Sequence, residues 1–480
     1  MKISILFITL CLSAIASYSL PAHATSTEKN TNTPLYIDNI NIVDVTTGKV
    51  LKNRQLKIRK GKIIAINAAQ TPITDGSHEY LDGKGHYAMP GLIDMHAHAY
   101  DSAAFVIALS HGVTHLRLMN GVQEHLLWRK ELENGSRVGS TITVSSPIIS
   151  GFTDAHMHYS AQTPADAITA VTTAKQLGYD LIKAYGNLTA EVLRALLLEA
   201  KKQNIPVAKH GPHPVVDMNW NELKGLQSLE HVEDIYQGPL NYQNDQKALD
   251  ETIATLKTLN TPVTPTLNIY WQLTQISDQK QTFIDTLPEG YISPLIELQE
   301  KHNQLKRWIN SPLEMALHNK KTLAFLQEIT LQLYKANITL LVGSDSGVLL
   351  SPHGLATHKE MELMHQAGLP ILEVLRAATI NPAKALEKES QLGKIAVGYN
   401  ADLILSEHNP LDTLATLKNP VWVVKQGRIF SKTELETLRQ HAINERSLWQ
   451  EMRILLNAGI STGVSTGTNT GTCTCISADK

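Results

Sequence analysis

The chain is almost without cysteine: of 480 residues only Cys11, Cys473 and Cys475 are cysteines, and all three lie near the ends. The long body between them therefore has no disulfide framework and no thiolate metal ligands. An excess of one charge is also missing. The 43 basic and 45 acidic residues balance, which gives no electrostatic footing for nucleic acid or an anionic membrane surface. Nor is there an apolar run of about 20 residues, the length a membrane-spanning helix needs. The nearest approach, "ISILFITLCLSAIA", follows Met1 and Lys2 and leads to "AHA" at 22–24. A basic start, a short apolar stretch and small residues at a cleavage position form a secretory signal peptide, expected to be cut after Ala24. Leu10 before Cys11 is too large for a lipoprotein site, so the expectation is a secreted or periplasmic protein with no membrane contact once the signal is removed.

What remains is a chain that is 42% hydrophobic, long enough for one large core and a smaller second one. Residues 35–85 alternate short apolar runs with turns, as in "LYIDNINIVD" and "LKIRKGKIIAINA". From residue 90 the rhythm becomes strand, loop, helix. Strands are expected at 91–96, 113–119, 141–149, 180–185, 205–210, 226–231, 262–267 and 338–345, most of them separated by helical patterns. Eight strands alternating with helices predict a parallel (β/α)8 TIM barrel. After it, "LGKIAVGYNADLILSE" and "VWVVKQGRIF" return to short strands. The division is then a signal peptide over 1–24, a small β-sandwich domain built from 25–88 and 389–432, and a barrel over 89–388. A helix is expected over 433–460, and a tail over 461–480 is too polar and Gly/Thr-rich to fold.

The chemistry gathers at strand ends. "MHAH" sets His96 and His98 two apart as the first barrel strand finishes, so both imidazoles face one side. His210 closes the fifth strand, His231 the sixth and Asp345 the eighth, and Lys183 sits within two residues of the end of the fourth in "GYDLIKAYGN". Each alone has a plain packing reading: a lysine that snorkels outward, an aspartate that binds turn amides, a histidine in a satisfied core. Together they occupy the end of the barrel from which catalytic groups come. Imidazole and carboxylate suit zinc or another divalent ion.

The segments "PGLIDMHAH", "GYDLIKAY", "VAKHG", "SLEH", "VTPTL", "VGSDSG", "ATINPAKAL" and "LGKIAVGYNADLI" resemble the amidohydrolase superfamily, in order, from about residue 36 to 430. The resemblance is to its imidazolonepropionase-like and Xaa-Pro or Xaa-Arg dipeptidase branch. It implies two divalent ions, with zinc the expectation: one held by His96, His98 and Asp345, the other by His210 and His231. It further implies that Lys183 is carboxylated and shared between them. A lysine kept from water has a lowered pKa, which leaves a neutral amine able to take up carbon dioxide. Attack on an amide by metal-activated hydroxide follows, with Asp345 as general base. A histidine that helps to polarise the carbonyl aligns with His156 in "FTDAHMH", although the family's small glycines are replaced and His158 offers a second register. Arg117 remains from a family Arg-Asp pair whose acid is Leu118 here. Tyr185 and His353 are further candidates for substrate contact.

The long connection over 268–337 is expected either to form a lid, presenting Tyr270, Trp271 and Trp308, or to be a packed helical insertion. The expected substrate is a small amide, a dipeptide or N-acyl amino acid, and the chain leaves homo-oligomerisation open. A cyclic-amide hydrolase and a mononuclear deaminase are the enzymatic alternatives. Deaminases of the superfamily carry a glutamate three residues after the fifth-strand histidine, and here that position is His213. A metal-free barrel that serves as an interaction protein is the non-enzymatic alternative, and it would be expected to have lost ligands.

Overall fold

The structure is a computed structural model that describes residues 33–461 except 154, 156 and 303. The expected signal peptide and the tail beyond 461 lie outside the described residues.

Parallel ladders run from Leu92–Ala97 to Val113–Leu118 and on to Thr141–Val144. A parallel bridge from Ser145 to Leu181 leads to Ile182–Ala184, then Val207–His210, Ser228–Glu230 and Val263–Thr264. The eighth position is held by bridges from Val263 to Leu340 and from Ala97 to Ser346, which close the ring. This is a (β/α)8 barrel. The third strand is interrupted: the apolar run 141–149 divides into Thr141–Val144 and Ile148–Ser150. Pro147 has no N–H to give to a ladder. Ser145 and Ser146 turn their hydroxyls onto the carbonyls of Ser146 and Pro147, a local pairing that competes with the sheet.

The outer helices form where alanine-rich amphipathic segments carry caps. In Pro164–Leu177 the hydroxyl of Thr163 accepts from the N–H of Asp166, whose carboxylate accepts from the N–H of Thr163 at 2.8 Å. The helix buries Ala167, Ala170, Val171 and Ala174 and stops at Gly178, which has the left-handed φ of 90°. A left-handed glycine commonly closes a helix in this way.

The β-rich domain is one hydrogen-bonded sheet drawn from both halves of the chain. Leu35–Asp44 lies beside Tyr87–Pro90, which pairs antiparallel with Leu403–Ser406, followed by Trp422–Lys425 and Arg428–Ser431. Ile37, Ile40, Ile42, Leu56, Leu403 and Leu405 share its core.

Among the described residues the 268–337 connection is helical, its longest helix being Leu313–Lys335. Tyr270 and Trp308 are buried in the main core, so for these two the packed alternative applies and the lid role is corrected. Trp271 is half-buried, with Nζ of Lys359 4.6 Å from its ring centroid. The segment expected as one helix over 433–460 is two, Lys432–Asn444 and Leu448–Ser461. Among the described residues no helix is long and apolar enough to cross a membrane.

Candidate active site

At the carboxyl ends of the barrel strands, four imidazoles form a continuous chain. Ring centroids are 5.4 Å apart for His96 and His98, 4.7 Å for His96 and His231, and 4.5 Å for His231 and His210. Oδ1 of Asp345 lies 3.1 Å from Nε2 of His98 and 3.5 Å from Nε2 of His96. Donor atoms of His96, His231 and Asp345 all fall within 4.8 Å of one another. Lys183, only 1% exposed, stands on the fourth strand. Its charge acts on His96, His210 and His231. His231 and Asp345 also have left-handed backbones, with φ of 71° and 53°. Such conformations cost free energy and collect at functional sites.

Burial, then the charge of Lys183, lowers His96 to about 4. Burial chiefly, with the neighbouring histidines, holds His210 and His231 well below the ordinary range. Neutral imidazoles with free lone pairs are the form that binds metal. Burial works against ionisation of Asp345, but His96, His98 and His231 outweigh it and keep the carboxyl below its usual range. This donor set fits divalent ions: nitrogen and carboxylate ligands converge, and Oδ1 of Asp345 and Nδ1 of His210 are buried without a hydrogen-bond partner among the described residues.

The far nitrogens of His96 and His231 are anchored. Nδ1 of His96 meets Oε2 of Glu230 at 2.8 Å, and Nδ1 of His231 meets the hydroxyl of Thr266 at 2.7 Å. Nε2 of His210 lies 3.2 Å from Oδ2 of Asp234. Sequence reasoning missed Glu230, Asp234 and Thr266. The signal available for the first was a glutamate at the end of a barrel strand, immediately before His231.

Arg117 requires a correction. It is fully buried inside the barrel and donates to the carbonyl of Met95 at 2.6 Å, to Oε1 of Glu230 at 2.7 Å, to Oε1 of Gln227 at 2.9 Å and to the Ser228 hydroxyl at 2.8 Å. Every guanidinium nitrogen is engaged by the protein, so Arg117 serves Glu230 and not a substrate. Removing one partner of a buried pair leaves an uncompensated charge, so Arg117→Ala should lower the unfolding free energy by about 3–5 kcal/mol in a denaturant titration.

Tyr185 stays at the site: its ring lies 4.2 Å from that of His210. His158 stands behind it, with ring centroids 5.3 Å apart and Nδ1 3.0 Å from the Ser150 hydroxyl. His353 is buried beside the eighth-strand end, its Nδ1 2.9 Å from the Ser346 hydroxyl. His156 lies outside the described residues. His213 is half-buried and binds the carbonyl of Pro214 through Nδ1 at 2.9 Å.

The Amidohydrolase family model matches residues 87–429. An ochratoxinase of Aspergillus niger is 30% identical over 102 residues, which cover 20% of each chain. The matches to curated relatives span from about a tenth to about a half of those proteins' length. Among solved structures, a bottromycin amidohydrolase is 22% identical with a TM-score of 0.70, over 86% of this chain and 90% of its own. A Xaa-Pro dipeptidase solved with methionine in its active site is 21% identical with a TM-score of 0.62, over 83% of this chain and all of its own. These structural likenesses concern the fold. With a family model matched over residues 87–429 and a candidate metal site at its strand ends, the chain belongs to the amidohydrolase family.

Proposed function

We propose that this protein is a metal-dependent hydrolase of carbon–nitrogen bonds that cleaves the amide of a dipeptide or N-acyl amino acid. The observation that carries this reading is the convergence of His96, His231 and Asp345 within 4.8 Å, with Lys183 buried on the fourth strand. His96, His98 and Asp345 would hold one divalent ion and His210 and His231 a second, with a carboxylated Lys183 shared and zinc as the metal. Bound there, the ions supply Lewis acidity toward the scissile carbonyl and acidify the attacking water.

The protein's own groups do the rest. Asp345 accepts the proton of the attacking water and returns it to the leaving nitrogen, so that water and amide become a carboxylic acid and an amine. Glu230 and Thr266 hold His96 and His231 by their far nitrogens, which keeps ring orientation and tautomer constant through turnover. Tyr185 closes one wall against His210. The Xaa-Pro dipeptidase among the fold neighbours supports a dipeptide as substrate.

The test is metal analysis of the purified protein, followed by a screen of dipeptides and N-acyl amino acids. Bound divalent metal and turnover of one of these classes is the expected result. A metal-free protein, or one that deaminates a nucleobase and leaves every peptide and acyl amide intact, would replace this reading. We further propose export to the periplasm or medium, from the basic, short apolar and A-x-A pattern of the first 24 residues. Sequencing protein from its native host should begin at Thr25; retained Met1 or a lipid on Cys11 would contradict export as a soluble protein.

A further inference from the structure

The histidines at the strand ends are not equally hidden. The side chain of His210 is 14% exposed, against 2% for His96 and 4% for His98. Water therefore reaches the group from the side of the fourth and fifth strands, and a substrate takes the same path. Tyr185, two residues beyond Lys183, stands on that path with its ring 4.2 Å from that of His210.

The loops on this side are apolar. Phe152, after the third strand, has its ring 6.3 Å from that of Tyr185 and 6.5 Å from that of His158. It is half-buried, and a Cβ at Gly186 would come within 3.4 Å of it, so the ring rests on the backbone of the next loop. The chain beneath it is fixed as well. The N–H of Gly151 donates to the carbonyl of Gly186 at 3.1 Å, and Nε2 of Gln162 donates to the carbonyl of Gly151 at 2.9 Å. In the loop after the fifth strand Val216 is 84% exposed. Residues 184–188 and 211–216 include no lysine, arginine, aspartate or glutamate, so these two loops carry no permanent charge. Apolar surface held open beside a buried site gains free energy when a ligand covers it.

We propose that Phe152 is a specificity-determining residue: with Tyr185 it forms an aromatic wall beside the candidate metal site, and the preferred substrate is an amide that carries a large apolar side chain, aromatic above all. The inference rests on the dipeptide or N-acyl amino acid reading above and narrows it. A substrate ring against such a wall gains area burial and ring–ring attraction together. The methyl group of alanine would leave most of the wall in water.

The experiment measures kcat and KM of the metal-loaded protein for matched pairs. Phe-Ala and Ala-Phe are set against Ala-Ala, and N-acetylphenylalanine and N-benzoylalanine against N-acetylalanine. In at least one pair the phenyl member should lead in kcat/KM by about 10–100-fold, the discrimination an apolar subsite gives between side chains of different size. Phe152→Ala should cut that lead about tenfold by raising KM for the phenyl member, and Phe152→Tyr, which keeps the ring, should retain it. Val216→Asp places a charge at an exposed position and should also reduce the lead, which keeps the test decisive should Phe152→Ala fail to fold. If the wild type shows no lead in any pair, or hydrolyses only amides with charged side chains, the inference is overturned and the hydrolase reading stands. The same holds if Phe152→Ala lowers both members of a pair by one factor, or if no variant reduces the lead. If the wild type hydrolyses no dipeptide and no N-acyl amino acid, the reading and the inference fall together.

Discussion

Lys183→Ala is expected to leave a folded protein that keeps one ion, held by His96, His98 and Asp345, loses the other, and turns over at least about 10²–10⁴-fold more slowly, since Lewis-acid stabilisation is worth several kcal/mol. The reason is geometric. Lys183 is 1% exposed, on the strand between the third and the fifth, and its charge reaches His96, His210 and His231. As an ammonium it would repel both ions; as a carbamate it would give each an anionic oxygen. Arginine should fail in the same way, because it remains a cation and adds no oxygen. Metal content by mass spectrometry checks the stoichiometry. Density that ends at Nζ in a metal-bound crystal structure, or an alanine variant with unchanged metal content and turnover, would remove Lys183 from the centre.

The second large effect belongs to Asp345. In Asp345→Asn the amide keeps the shape of the side chain but cannot take a proton from water, and kcat should fall about 10²–10⁴-fold, the usual contribution of general-base catalysis. The fold should survive, because the backbone at this position is held independently of the carboxylate: the N–H of Asp345 is bonded to the carbonyl of His96 at 2.8 Å. Asparagine also tolerates the left-handed φ of 53° found here. A variant that retains near-normal kcat on any substrate of the wild type would assign the base elsewhere.

The clustering of His96, His98, His210, His231 and Asp345 was legible in the chain because the barrel places strand ends together and each of these residues can be read locally at the end of its strand. The anchors behind the ligands were not. His96 and Glu230 are 134 positions apart, and no periodicity links an imidazole to a carboxylate across that distance. Arg117 illustrates the same limit: a cation in "VTHLRLM" looks available to substrate until the barrel closes around it and Glu230 engages it. The third strand was read too long because apolar residues flank Ser145–Pro147 on both sides, so hydropathy passes through a break that backbone chemistry makes. Tyr270 and Trp308 could be read from sequence either as lid residues or as part of a packed insertion, and helix packing turns both into the core.

The β-rich sheet has a consequence for biosynthesis. Tyr87–Pro90 finds its antiparallel partner in Leu403–Ser406, more than 300 residues later. At roughly 5–20 residues per second of synthesis, about 15–60 s separate the appearance of the two strands. Throughout that interval Tyr87–Pro90 presents an open edge toward the missing strand, the kind of surface that invites pairing with another chain. Premature termination anywhere between the barrel and residue 403 would make that interval permanent. Such fragments should aggregate from the amino-terminal side even where most of the barrel has been made, and they should need a chaperone that the finished protein can do without.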